Sequence, residues 1–74
     1  MIFSGKVEMW IDRSQNRMFN MNKFTEVSVK KNIIHFWENE LNNMEIAFDN
    51  EKEAEQNFKY IVEGLKNKSL LIFI

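Results

Sequence analysis

The chain has 74 residues with a hydrophobic fraction of 45%, which is enough apolar material for one core but not for a second domain. It contains no cysteine, so disulfides and thiolate metal sites are excluded, and its formal net charge of -1 gives no global attraction to nucleic acid or to an anionic membrane. Because a domain this small is marginally stable by itself, oligomerisation is the open route to further stability.

The N-terminal half is predicted to form strands, because apolar and polar residues alternate there with a period of two. The first strand covers residues 5–13 and turns Met9 and Ile11 toward the core. The second covers residues 18–30, and a bend near Asn22-Lys23 can break it.

Two further strands are predicted before the helix. Residues 33–38 are apolar on both faces, as in a central strand, whereas residues 44–49 alternate as in a half-buried one. Short polar turns separate these strands from their neighbours, and short connections favour an antiparallel meander.

One amphipathic helix is predicted over residues 51–66. Its apolar residues recur at the spacing of a single helix face, at Ala54, Phe58, Ile61, Val62 and Leu65. Asn50 and Glu53 have the spacing of a capping box, which places the start of the helix. Residues 69–74 are β-prone and follow with almost no linker, so they either return to the sheet or pair with another chain.

The predicted fold class is therefore α+β. It is a single domain over residues 1–74, with a small antiparallel meander of about four strands, one amphipathic helix and a short C-terminal β-prone segment.

The residue types that carry catalysis are scarce in this sequence. His35 is the only histidine, no cysteine is present, and no serine stands at a strand-to-helix elbow. Gly5 and Gly64 are too far apart to form a phosphate-binding loop. His35 with Glu38 or Glu40 does not guarantee the convergence that a metal site needs. We therefore expect no catalytic residue, no bound cofactor, no metal and no enzymatic activity.

The aromatic and aliphatic residues of the strands exceed what one helix can cover, because a helix shields only one face of a sheet. The predicted partner or dimer surface consists of Trp10, Phe24, Ile33, His35, Trp37, Leu71 and Phe73. Exposed apolar patches of this kind usually mark interfaces. The alternative is that a strongly curved sheet folds these residues into one continuous core.

The function predicted from this surplus is a non-enzymatic protein-interaction module that forms a homodimer or binds an unknown partner protein. Heavy use of Asn, Lys, Ile, Phe and Glu is typical of an AT-rich genome, and it extends the hypothesis to a phage- or plasmid-encoded modulator or inhibitor of a host protein. The apolar runs at the two ends are too short for a signal-peptide core or a bilayer span. We therefore expect a cytoplasmic location and no membrane partner.

The alternative function is single-stranded nucleic-acid binding. Trp10, His35 and Trp37 could stack on bases, with nearby lysines along the backbone. The negative net charge and the acidic residues Glu8 and Asp12, which flank Trp10 on the same strand face, disfavour this hypothesis, because such binders normally show a basic groove.

Overall fold

The structure, a computed structural model, describes residues 1–2, 9–13 and 17–74. Residues 5–8 of the first predicted strand therefore lie outside the described residues. The elements of the described chain are the strands β1 (Trp10–Arg13), β2 (Arg17–Asn20), β3 (Glu26–Lys30), β4 (Ile33–Trp37), β5 (Asn43–Ala47) and β6 (Leu71–Phe73), a 3-10 helix (Met21–Lys23) and the helix α1 (Glu51–Lys66). The predicted α+β fold class is confirmed.

The described strands form two sheets of three. The first has the order β3-β4-β5 and is the predicted antiparallel meander. The second has the order β2-β1-β6, in which β1 runs antiparallel to β2 and parallel to β6. The C-terminal segment thus returns to a sheet within the chain.

The strand predicted over residues 18–30 is divided between the two sheets. The 3-10 helix Met21–Lys23 separates β2 from β3, close to the predicted bend. The side chain of Asn20 accepts a hydrogen bond from the Asn22 N–H at 2.9 Å, and the Phe24 N–H bonds to the Met21 carbonyl at 3.0 Å. These bonds satisfy the backbone locally, which lets the chain leave one sheet and enter the other.

Helix α1 begins and ends with capping bonds. The Asn50 side chain accepts a hydrogen bond from the Glu53 N–H at 2.9 Å, as the capping-box spacing predicts. At the other end Lys68 takes a positive φ of 54°, and the Ser69 N–H bonds to the Gly64 carbonyl at 2.9 Å. This is a Schellman-type ending, and it redirects the chain straight into β6.

The core lies between the two sheets and α1. Its buried apolar residues are Met9, Ile11, Met21, Phe24, Val27, Ile34, Phe36, Ile46, Ala54 and Ile61. The rings of Phe19 and Phe36 are 5.2 Å apart, and those of Phe24 and Phe36 are 5.6 Å apart. This aromatic cluster joins the two sheets.

Phe24 corrects one expectation from the sequence. The sequence predicts that it lies on the partner surface, but its exposed fraction is only 4%. Phe24 caps the 3-10 helix and does not belong to a strand, so the alternation of strand residues does not determine which way it points.

Candidate interaction surface

The residues predicted for a partner surface lie in three places. Trp10, Leu71 and Phe73 share the outer face of the β2-β1-β6 sheet, because their neighbours Ile11 and Ile72 point inward. Ile33, His35 and Trp37 share the outer face of β4. Phe24 belongs to the core. The structure therefore divides the predicted surface into two separate sheet faces.

The outer face of the β2-β1-β6 sheet is apolar and open. The exposed fractions are 45% for Trp10, 42% for Leu71 and 67% for Phe73, and Met18 on β2 is also exposed at 54%. We call these four residues the apolar strip. Asp12 lies within it, paired across the sheet with Met18 on one side and Phe73 on the other. Met18 was missed by the sequence analysis, although its alternation with the inward-facing Phe19 could have revealed it.

Strand β6 is the outermost strand on its side of the sheet within the described part of the chain. The Trp10 N–H donates to the Leu70 carbonyl at 2.9 Å, and the Ile74 N–H donates to the Asp12 carbonyl at 3.0 Å. Since successive residues of a strand direct their N–H and C=O groups to opposite sides, those of Leu71 and Phe73 point away from β1. An edge of this kind is a template for an additional strand.

A groove runs between this edge and α1. Its volume is about 360 Å³, and its lining residues are Tyr60, Glu63, Gly64, Asn67, Ser69, Leu71, Ile72 and Phe73. The Ile72 side chain lies so close to Gly64 that a Cβ at that position would overlap it. The contact holds β6 against α1 on the inner side, while Leu71 and Phe73 on the outer side remain exposed.

The edges of the meander are different in character. The Val27 N–H of β3 donates to the Met1 carbonyl at 2.8 Å, and Ile2 forms a bridge with Glu26, so the first two residues contact that edge. On β5 the exposed residues are Asn43, Glu45 and Ala47. Polar and charged residues on an edge strand discourage pairing with another chain. Strand β6 differs from both, because its residues are all apolar and no other described strand pairs with its free edge.

The outer face of β4 carries a half-buried aromatic pair. The rings of His35 and Trp37 are stacked with centroids 6.0 Å apart and planes inclined by 20°. The Trp37 Nε1–H contacts the Ser28 Oγ at 3.4 Å, and the His35 Nδ1 lies 3.5 Å from a Glu45 carboxylate oxygen without making a hydrogen bond to it. The two rings therefore contact each other and polar neighbours across the sheet.

Carboxylates border this second face. A cavity of about 420 Å³ beside Trp37 is lined by Thr25, Glu26, Asn39 and Glu40, in addition to Trp37 itself. Glu45 flanks His35 on the other side. Lys30, opposite Ile33 on β3, is a cation on the same face. The carboxylates nearest the two rings repel a phosphate backbone, which makes the surroundings of His35 and Trp37 poorly suited to nucleic acid.

The described residues bring no group of three or more His, Asp or Glu side chains into a position to hold a metal ion. His35 contacts Glu45 and is not joined there by Glu38 or Glu40. In the same part of the chain, no helix is long and apolar enough to cross a membrane.

Comparisons with known protein families, with curated proteins and with solved structures find no match to this chain.

Proposed function

We propose that the chain is a non-enzymatic protein-interaction module that self-associates through β6 and the apolar strip. The observation that carries the proposal is that β6 has an edge with which no other described strand pairs, together with exposed apolar side chains on the same strand, Leu71 and Phe73. The edge offers backbone hydrogen bonds, and the side chains offer apolar area, which are the two components of strand-addition interfaces.

The exposure of the strip is large for a domain of this size. Trp10 and Phe73 are aromatic residues of the kind that dominate interface energetics, and they lie on neighbouring strands. Exposed apolar side chains grouped on one face of a small protein usually mark an interface. The proposal includes a cytoplasmic location, which rests on the short apolar runs of the sequence, and a role as a phage- or plasmid-encoded modulator of a host protein, which rests on composition.

The test is sedimentation of the full chain over a range of concentrations, comparing Phe73→Lys with Leu41→Lys. Phe73 is on the strip, whereas Leu41 is 91% exposed in the turn before β5 and serves as the matched control. We expect the wild type and Leu41→Lys to associate alike, and Phe73→Lys to shift toward the monomer because a lysine cannot be buried there without cost. A wild type that stays monomeric at every concentration would refute self-association.

The second candidate function, single-stranded nucleic-acid binding, is favoured by the stacked His35–Trp37 pair. The carboxylates of Glu26, Glu40 and Glu45 around that pair oppose it. A titration with a fluorescent oligonucleotide at low salt distinguishes the two candidates. Binding that is lost in Trp37→Ala and weakens as salt rises would support the second candidate over the first.

A further inference from the structure

We infer that the occupant of the β6 edge is a second copy of this chain, with the two β6 strands antiparallel and the twofold axis passing beside Ile72. This inference rests on the proposed function and specifies its geometry. The β2-β1-β6 sheets of the two copies then join into one sheet of six strands, and each α1 covers the inner side of the β6 of its own copy.

The backbone of β6 suits this arrangement. Only Leu71 and Phe73 direct their N–H and C=O groups to the free side, and they are placed symmetrically about Ile72. With the axis beside Ile72, Leu71 of one copy lies opposite Phe73 of the other. Each such pair exchanges both of its backbone hydrogen bonds, so the open groups of Leu71 and Phe73 are satisfied in both copies.

Twofold symmetry also closes the assembly. An antiparallel pair of β6 strands uses the same edge on both copies, and it leaves neither of these two edges open. A head-to-tail contact between β6 and β2, the other edge of the same sheet, does not close and leaves a β2 and a β6 edge open at its ends. Of the two meander edges, β5 carries Glu45 and β3 is contacted by Met1 and Ile2.

The position of Asp12 favours edge pairing over face-to-face packing of two apolar strips. Asp12 lies between Met18 and Phe73 within the strip, so stacking two strips would bury a carboxylate in an apolar contact. Edge pairing leaves Asp12 one strand inside the edge. At a strand spacing of about 4.8 Å, the two β1 strands are then roughly 14 Å apart, which is beyond the screening length of about 8 Å at physiological salt.

Edge pairing covers the part of the apolar strip that lies on β6. With about 150–250 Å² for a fully buried aromatic side chain, the exposure of 67% for Phe73 leaves on the order of 130 Å² of aromatic surface per copy on that strand. Leu70, Leu71 and Tyr60 are exposed beside the same edge or groove. A twofold interface counts this surface twice and adds the edge backbone, so we expect a small interface and a reversible dimer.

The register is testable by cysteine cross-linking, because the chain has no cysteine of its own. In the proposed pairing, residues 71 and 73 of different copies are opposite, with Cα atoms about 5.5 Å apart, as a disulfide requires. Two residues at position 73, or two at position 71, are diagonal neighbours about 7–8 Å apart and bridge poorly.

The experiment uses the full chains Leu71→Cys and Phe73→Cys, first separately and then mixed and left to exchange subunits before mild oxidation. We expect the mixture to yield several-fold more covalent dimer than either variant alone. Circular dichroism of each variant verifies folding, and Trp10→Lys, one strand inside the edge, reports whether the outer face of β1 is also covered in the dimer.

The outcomes separate the inference from the function on which it rests. If the wild type is a dimer but the mixture cross-links no better than the single variants, the β6 register is wrong and self-association stands. A dimer that Trp10→Lys abolishes, while the cysteine mixture gives no enrichment, indicates face-to-face packing and overturns the inference. A wild type that is always monomeric overturns both.

Discussion

Gly64 is the residue at which α1 and β6 approach each other most closely. A Cβ at this position would overlap the Cδ1 of Ile72, and it would lie 2.8 Å from the Ile72 Cγ1 and 3.0 Å from the Met9 Sδ. A glycine inside a helix costs about 1 kcal/mol relative to alanine. The close packing of Ile72 and Met9 explains why the helix tolerates this glycine one turn before its end.

Gly64→Ala should therefore lower the free energy of unfolding, even though alanine is the better helix former. Overpacking of a well-filled site costs about 1–3 kcal/mol, which exceeds the propensity gain of about 1 kcal/mol. Urea denaturation of Gly64→Ala, Ile72→Val and the double variant tests this, because valine lacks the Cδ1 atom that lies nearest. We expect Gly64→Ala to cost less in the Ile72→Val background than in the wild type. Additive effects would show that Ile72 does not limit the space at position 64.

Alternate residues of β6 differ in their surroundings. Ile72 packs against the core, while Leu71 and Phe73 face solvent. The strand is also held to β1 by parallel pairing. Ile72 therefore stabilises the fold of the single chain, whereas Leu71 and Phe73 form part of the proposed interface.

Two alanine substitutions on β6 should consequently act on different properties. Ile72→Ala should destabilise the fold by about 2–3 kcal/mol, at the low end of the range for isoleucine because the residue is only partly buried. Phe73→Ala should change the stability of the monomer by no more than about 0.5 kcal/mol but weaken association. Denaturation at a concentration below the dimer range, together with sedimentation above it, measures both effects. Similar losses of fold stability in the two variants would contradict these separate roles of Ile72 and Phe73.

The elements that the sequence predicts well are those with local signals. Helix α1 carries its own cap at Asn50 and a single apolar face, and both depend only on residues within a few turns. The parallel pairing of β6 with β1 has no such signal, since it joins segments at opposite ends of the described chain. The same limit explains Phe24, whose burial depends on Phe19 and Phe36 across the sheet boundary.

The sequence predicts only part of the candidate surface, because strand order has no local signal. The surplus of apolar residues on strand faces is visible in the sequence and led to Trp10, Leu71 and Phe73. Which strand forms an open edge depends on strand order, and strand order is a property of the tertiary fold. The contribution of the β6 edge therefore emerges only from the structure.

At the scale of the whole molecule, the two sheets share one core and differ in their outer faces. The β3-β4-β5 face carries Glu26, Lys30, Glu45 and the aromatic pair, whereas the β2-β1-β6 face is apolar around Asp12. The formal net charge of -1 leaves little long-range repulsion between two copies.

Self-association should therefore respond weakly to salt. The proposed interface consists of backbone hydrogen bonds and apolar side chains, and neither is screened by added ions. Sedimentation of the wild type at low and at high sodium chloride should give nearly the same dissociation constant. A dimer that dissociates strongly as salt rises would indicate an interface held by ion pairs, such as one that uses Glu26 or Glu45.

The parallel pairing of β1 with β6 also has a consequence for the order of folding. Trp10 pairs with Leu71, so the β2-β1-β6 sheet is completed only after a loop of about 60 residues has closed, and such distant contacts form slowly. During synthesis, β1 would leave the ribosome long before its partner strand exists. The meander and α1 have nearer partners and can form first. Strand β6, which we propose to pair with a second copy, is therefore the last strand to pair within its own chain.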